Sequence, residues 1–318
     1  MGKIESKFTI HSTMREEVSG NDVWCAAFEL AWREMEQKAL NDNYTFNENN
    51  AEIKNLFNES KKSSCIDEKQ CFIASGEMDK KLVDKLIKQV KRKLKTKSEI
   101  LENLQLSNEE RVFLIYAMLV IELKYRQKFD EVRARRFNGS EKLIDFFGIT
   151  FDSEDKLFEE VDSLFYENEK SFGVAVKTKQ EYKIFVMRED ENLTFLDAYE
   201  RLIEKSNSKG EYVEIETFAL PCLSLNETKM FKNLVGENLK ASDKDYVISQ
   251  ALQSVKFDLD RKGAKVVSEA AIVLKETCCM FFEDYNKKPF IFDGPFYLFV
   301  STRLSDKPFF ALRVSSAD

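Results

Sequence analysis

The chain predicts an α+β fold built on mixed β-sheets, and three observations carry that expectation. Residues 1–105 hold most of the amphipathic helical patterns. Residues 106–318 return repeatedly to period-two segments rich in β-branched and aromatic residues. A long stretch from about residue 263 to 290 separates the last strong strand patterns. With 318 residues and 43% hydrophobic content the chain can bury a sizeable core, and it is read as a single domain.

Taken in order, FTIHSTM (Phe8–Met14) reads as a short strand. Val23–Lys38 reads as a helix capped by Asn21 or Asp22, with Val23, Trp24, Ala27, Phe28, Ala31, Trp32 and Met35 forming a broad face that must be buried. Polar loops follow, interrupted by a short helix over Ile53–Phe57. Lys80–Lys97 places Leu82, Leu86, Val90 and Leu94 on one stripe and lysines on the rest, a basic amphipathic helix. FGVAVKT and YKIFVMR are strands, and Thr194–Glu204 is a helix in which Asp197 is not the cap. Val213–Leu225 and Tyr246–Leu259 are long strands, the second stopping at Asp260-Arg261-Lys262-Gly263, where glycine permits a tight bend. The C-terminus closes with two aromatic-rich strands around a turn at Leu304–Lys307.

Several function classes are excluded or disfavoured. The net charge of −7 opposes general nucleic-acid binding. The first residues contain no apolar signal core and no run is long enough to span a bilayer, so the protein is expected to be cytoplasmic and off the membrane. Six cysteines without framework spacing read as reduced thiols. His11 is the single histidine, so a Cys25/His11 hydrolase would have to use it, whereas Cys25 also reads as a small core residue. No zinc ligand set and no phosphate-binding glycine loop is present, so neither metal, cofactor nor enzymatic activity is expected.

The C-terminal quarter resembles the reactive-loop end of a serpin. The family's strand before the loop ends in an acidic residue, a variable pair and glycine, as at Asp260–Gly263. After the loop come Phe292, Asp293, Gly294, Pro295, Phe296 and an apolar run to Val300, followed by a closing strand, Phe309–Val314. Phe113–Phe137 resembles the central strand and its turn, Val90–Leu104 the end of the helix that crosses the sheet, and Val213–Leu225 the strand ending in Leu220-Pro221. About a hundred residues precede the central strand, so the resemblance implies a trimmed set of N-terminal helices. Where the family has a histidine beneath the opening sheet this chain has Gln253; its asparagine falls at or near Ala117 and its tryptophan at Tyr125.

The resemblance implies a protease inhibitor that acts as a suicide substrate, with Gly263, Ala264, Val266 and Ser268 as the hinge of a loop that inserts into a sheet. Counting from either end brackets the bait region within 277–284, at Thr277, Cys278, Cys279, Met280, Phe281 and Phe282. Uncharged side chains there favour a chymotrypsin-like or papain-like protease. As a strand, the segment would put Ala264, Val266, Ser268, Ala270, Ile272 and Leu274 on one face, all small or apolar. The same residues also suit a helix, with Val267, Ala271 and Leu274 on one stripe, which is the arrangement of a non-inhibitory binding or structural protein on the same scaffold. The basic helix 80–97 is a candidate polyanion site, or a solvated face.

Overall fold

A computed structural model of the chain describes residues 2–60, 71–77, 79–95, 97–104, 113–119, 123–179, 182–208, 213–241, 245–264, 287–302 and 307–318. Strands β1 (Thr9–His11) and β2 (Asp22–Cys25) pair in parallel, with His11 opposite Trp24. The helix expected from Val23 is therefore shorter, and α1 spans Ala27–Lys38 without a side-chain cap. The reason is that the Asp22 carboxylate is already engaged, by His11 Nε2 and by the backbone N–H groups of Ser19 and Gly20. Val23 and Trp24 then serve a sheet. Phe28, Trp32 and Met35 form the buried face of α1.

β3 (Tyr44–Thr45) and α2 (Ala51–Ser60) follow, the helix starting where Asn50 Oδ1 accepts from the N–H groups of Glu52 and Ile53. Next come β4 (Cys71–Glu77), α3 (Lys80–Leu94) and α4 (Glu99–Glu102). The described residues of 1–105 thus hold four strands as well as four helices. Asp79 caps α3 by accepting from Leu82 N, and Lys95, at φ 52°, ends it. Val83, Leu86, Val90 and Leu94 are its buried stripe, while Leu82 is half-buried.

The sheet-rich part runs β5 (Phe113–Leu119), β6 (Leu123–Lys124), β7 (Asp130–Arg136), β8 (Leu143–Ile149), α5 (Asp155–Phe158), β9 (Val161–Asn168), β10 (Ser171–Lys177), β11 (Tyr182–Arg188) and α6 (Phe195–Asn207). It continues through β12 (Glu214–Pro221), β13 (Leu223–Met230), β14 (Asn238–Ala241), β15 (Asp245–Val247), β16 (Leu252–Leu259), β17 (Gly263–Ala264), β18 (Lys287–Ile291), β19 (Phe296–Thr302) and β20 (Pro308–Val314). Thr194 caps α6, its Oγ1 accepting from Asp197 N while donating to the Asp197 carboxylate. The strand expected over Tyr246–Leu259 is broken at 248–251. There the backbone turns aside to bond the neighbouring turn, Gly236 N donating to Ile248 O and Ile248 N to Glu237 O.

A seven-stranded sheet in the order β1-β2-β20-β19-β11-β10-β9 forms the main body, beside a four-stranded sheet ordered β18-β12-β8-β7. Every residue of β20 is buried, which explains its continuous apolar run. Phe292 joins the two sheets, its ring meeting Phe172, Phe218 and Phe296. Three two-stranded pairs, β4–β5, β13–β16 and β6–β17, complete the part that concerns function.

Candidate functional site

The hinge is built from Asp260 onward. Asp260 N donates to Gly263 O at 2.9 Å and Gly263 N to Asp260 O at 3.1 Å, closing a two-residue turn over Arg261-Lys262, and Lys262 N donates to Asp260 Oδ1. Gly263 sits at φ +133°, and a Cβ there would lie 2.0 Å from Leu123 O. Glycine is required on both counts, conformation and close approach. The chain reverses, and β17 pairs with β6 in antiparallel register, Gly263 opposite Lys124 and Ala264 opposite Leu123. The turn is held from outside by Phe129 N, which donates to Arg261 O, and by an Arg261–Glu131 ion pair at 2.6 Å. Tyr125 is buried just below, its ring meeting Phe129 and Phe147, and burial pushes its phenol well above the usual range.

Of the hinge residues expected from the sequence, Gly263 and Ala264 form β17. Val266, Ser268 and the bait residues Thr277, Cys278, Cys279, Met280, Phe281 and Phe282 lie outside the described residues. The partner strand Leu123–Lys124 had no sequence signal of its own, since it continues the apolar run begun at Phe113.

Beyond the hinge the two walls separate. β5 pairs with β4, and β16 pairs with β13, but among the described residues β5 and β16 do not pair with each other. A cavity of about 310 Å³ lies between them. Phe28, Ala31, Trp32 and Met35 of α1 form its floor, Ile115 and Ala117 line one wall, and Ala251 and Gln253 line the other. Ile115 and Ala117 pack toward the main core, whereas Leu114, Tyr116 and Met118 pack with α3 in a second cluster, so the odd-numbered side chains of β5 face inward. Gln253, Val255, Phe257 and Leu259 are the buried face of β16. Gln253 is 5% exposed, its Nε2 donates to Cys25 O at 3.1 Å, and its Oε1 has no partner among the described residues. Gln253 and Ala117, singled out from sequence as departures, thus face the same cleft. The floor residues of α1 were legible only as core.

The hydrolase reading fails on geometry. His11 donates from Nε2 to Asp22 at 2.8 Å and from Nδ1 to Glu16 at 3.2 Å, so both ring nitrogens are committed. Because His11 stands opposite Trp24, the next residue, Cys25, projects from the other face of the sheet. Burial alone would lower the His11 pKa, but the bonds to Asp22 and Glu16 prevail and raise it to about 9. Burial likewise pushes Glu16 up, yet the bonds from His11, Ser12 and Thr13 prevail and hold it at about 2. The cluster is a charged staple between β1 and β2. Cys222, half-buried, has its thiol pushed up to about 12 by burial and the nearby Asp260. Among the described residues no group of three or more His, Cys, Asp or Glu side chains could hold a metal, and no helix is long and apolar enough to cross a membrane.

No family model matches the chain, and no curated protein matches it. Solved structures do. Serpin48, a serpin of the insect Tenebrio molitor, is 14% identical, and the alignment covers 94% of this chain and 92% of that one with a TM-score of 0.52. The thermophilic serpin tengpin, in its native state, is 14% identical over 95% of this chain and 90% of its own, with a TM-score of 0.53. The chain has the serpin fold. Its likeness to thyroxine-binding globulin in complex with thyroxine is of the same order, 12% identity over 94% and 93% of the two chains with a TM-score of 0.51. Among the described residues β4–β5 and β13–β16 are separate two-stranded pairs, and the cleft is the gap between them.

Proposed function

We propose that the protein is a protease inhibitor that acts as a suicide substrate, its loop inserting between β5 and β16 after cleavage within 277–284. The reading is carried by two registers at the hinge. If the β17–β6 pairing continues unchanged, Ser268, Ala270 and Ile272 would fall opposite Leu119, Ala117 and Ile115. If the Asp260–Gly263 bridge continues, the same three residues would fall opposite Val255, Gln253 and Ala251. Under either register the even-numbered loop residues would face inward, and those are the small or apolar ones. Attack by the protease nucleophile on the scissile carbonyl would form an acyl-enzyme and release the amine side of the loop. The freed strand would then enter the cleft and drag the acyl-enzyme with it.

Incubation with a chymotrypsin-like or papain-like protease is expected to give an SDS-resistant adduct, with the bond cut between Thr277 and Asp284 and a large rise in melting temperature. Quantitative cleavage without adduct and without that rise rejects the proposal. It would favour the second reading, a non-inhibitory binding or structural protein. One feature supports that alternative: Val266 would have to fit between Ile121 and Phe257, where bulk slows insertion. A further contact with polyanions is supported by α3, whose Lys81, Lys85, Lys88, Lys91 and Arg92 are exposed. Failure to bind a heparin column at low salt would dismiss it.

A further inference from the structure

We infer that the turn at Phe151 is a second docking point for the protease that cuts the loop, an inference that rests on the reading above, in which a protease attacks that loop. Both flanks of the loop lie at one end of the four-stranded sheet. On one edge Lys287 opens β18, opposite Glu214 of β12. On the other edge Asp130 opens β7, and the preceding Phe129 donates its N–H to Arg261 O, in the turn that leads to Gly263. The two edges are about 14 Å apart, three strand spacings. β8 lies between them and ends at the same place. It pairs antiparallel with both neighbours, Ile149 opposite Phe218 and Gly148 opposite Asp130, so the turn Thr150–Ser153 emerges at the loop end of the sheet.

Phe151, at the tip of that turn, is 81% exposed, more than any other large hydrophobic side chain among the described residues. A lone exposed apolar residue is ordinary on a loose backbone. This backbone is closed. Thr150 N donates to Ser153 Oγ at 2.9 Å, Ser153 N to Thr150 O at 3.0 Å, and Ser153 Oγ to the Asp130 carboxylate of β7 at 2.6 Å. The turn that carries the ring therefore has little ordering entropy left to lose on contact, and an aromatic anchor offered from such a turn is what a tight interface uses. A protease seated on a loop that leaves from one edge of this sheet end and returns to the other would cover Phe151. The partner feature that fits is an apolar recess beside the protease's substrate cleft.

The full chain is incubated with chymotrypsin and with papain, and the second-order rate of cleavage within 277–284 is measured separately from the fraction converted to adduct. For the enzyme that cuts the wild type faster, Phe151→Ser should lower the rate about tenfold. Phe151→Leu should keep most of the rate, and Leu143→Ser, half-exposed at the opposite end of β8, should leave it unchanged. The adduct fraction should be the same in all of them, because it is decided after cleavage. A rate unmoved by Phe151→Ser, an equal loss in Leu143→Ser, or no cleavage within 277–284 by either enzyme overturns the docking point. So does a dimer in sedimentation that Phe151→Ser dissolves, since a second copy of the chain would then be what covers the ring. If the wild type is cut without forming adduct, the inhibitory reading fails, and the docking point is decided by the cleavage rates alone.

Discussion

Raising the pH above neutrality should unpin the N-terminal strands, and the size of the effect follows from the His11 staple. In the folded protein the pKa of His11 is raised from 6.5 to about 9, while that of Glu16 is lowered from 4.5 to about 2. Each displacement corresponds to about 3 kcal/mol, and because the His11–Glu16 contact enters both, alongside the bonds from Asp22 to His11 and from Ser12 and Thr13 to Glu16, the two are not summed. The sign is fixed by which form the fold prefers. His11 contributes fully below pH 6.5 and loses its contribution as pH rises to 9. Glu16 contributes fully above pH 4.5 and loses it as pH falls to about 2. Stability should therefore be flat between these limits and fall on both sides. Urea unfolding of the wild type and of His11→Gln, followed from pH 4 to 10, isolates the term. The difference between the two proteins should be about 3 kcal/mol near pH 5.5 and should collapse by pH 9. A difference that stays constant from pH 6 to 10 would mean that His11 is held neutral and that the bonds to Asp22 and Glu16 do not carry charge.

Other outcomes are equally specific. Gly263→Ala should cost about 3 kcal/mol, from positive φ strain and a Cβ placed 2.0 Å from Leu123 O, and hydrogen exchange should show lost protection at Leu123 and Lys124. Thr194→Ala removes the α6 cap and should cost about 1 kcal/mol in urea unfolding. Phe292→Ala, at the junction of the two sheets, should cost about 3 to 5 kcal/mol. On the proposed inhibitory reading, Ala270→Glu should abolish adduct formation while Ala271→Glu leaves adduct yield unchanged; equal effects would break the inward parity proposed from the hinge registers.

The C-terminal strands were legible because their environment is uniform: β19 and β20 are buried on both faces, and continuous apolar runs bounded by turn residues have few other readings. Gly263 was legible for a different reason, since few residues other than glycine could follow Asp260-Arg261-Lys262 into a reversal that meets Leu123 O. The start of α1 was not. Val23, Trp24 and Cys25 satisfy the helical stripe as well as they satisfy a strand, and the choice was made by His11, which claims the Asp22 carboxylate from eleven residues upstream. β4 escaped notice because its short apolar run, Cys71–Ala74, follows a long polar stretch and its pairing with β5 is long-range. The cleft could not be read at all, because an unfilled gap is set by which strands fail to pair, and no residue pattern encodes that.

The position of the gap has a physical cause. β13 and β16 are tied to the main body through the N-terminal segment: Ile4 N donates to Cys222 O, Ser224 N to Ile4 O, Phe8 N to Glu227 and Lys229 Nζ to Ile10 O. β4 and β5 pack instead with α3 and α4 around Phe72, Leu86, Val90, Leu94, Leu101 and Tyr116, a second cluster separate from the main core. The two strand pairs thus share the main core only through the inward face of β5, where Ile115 and Ala117 lie. They meet at the short β6–β17 pairing and across α1, whose Ala27, Phe28, Ala31 and Trp32 touch the cavity with small and large side chains in alternation. Widening the cleft by one strand would leave both clusters whole and would require repacking chiefly where Ile115 and Ala117 rest on α1. Ala117 leaves little there to unpack, and with Ala251 on the facing wall it keeps the proposed site of insertion free of bulk.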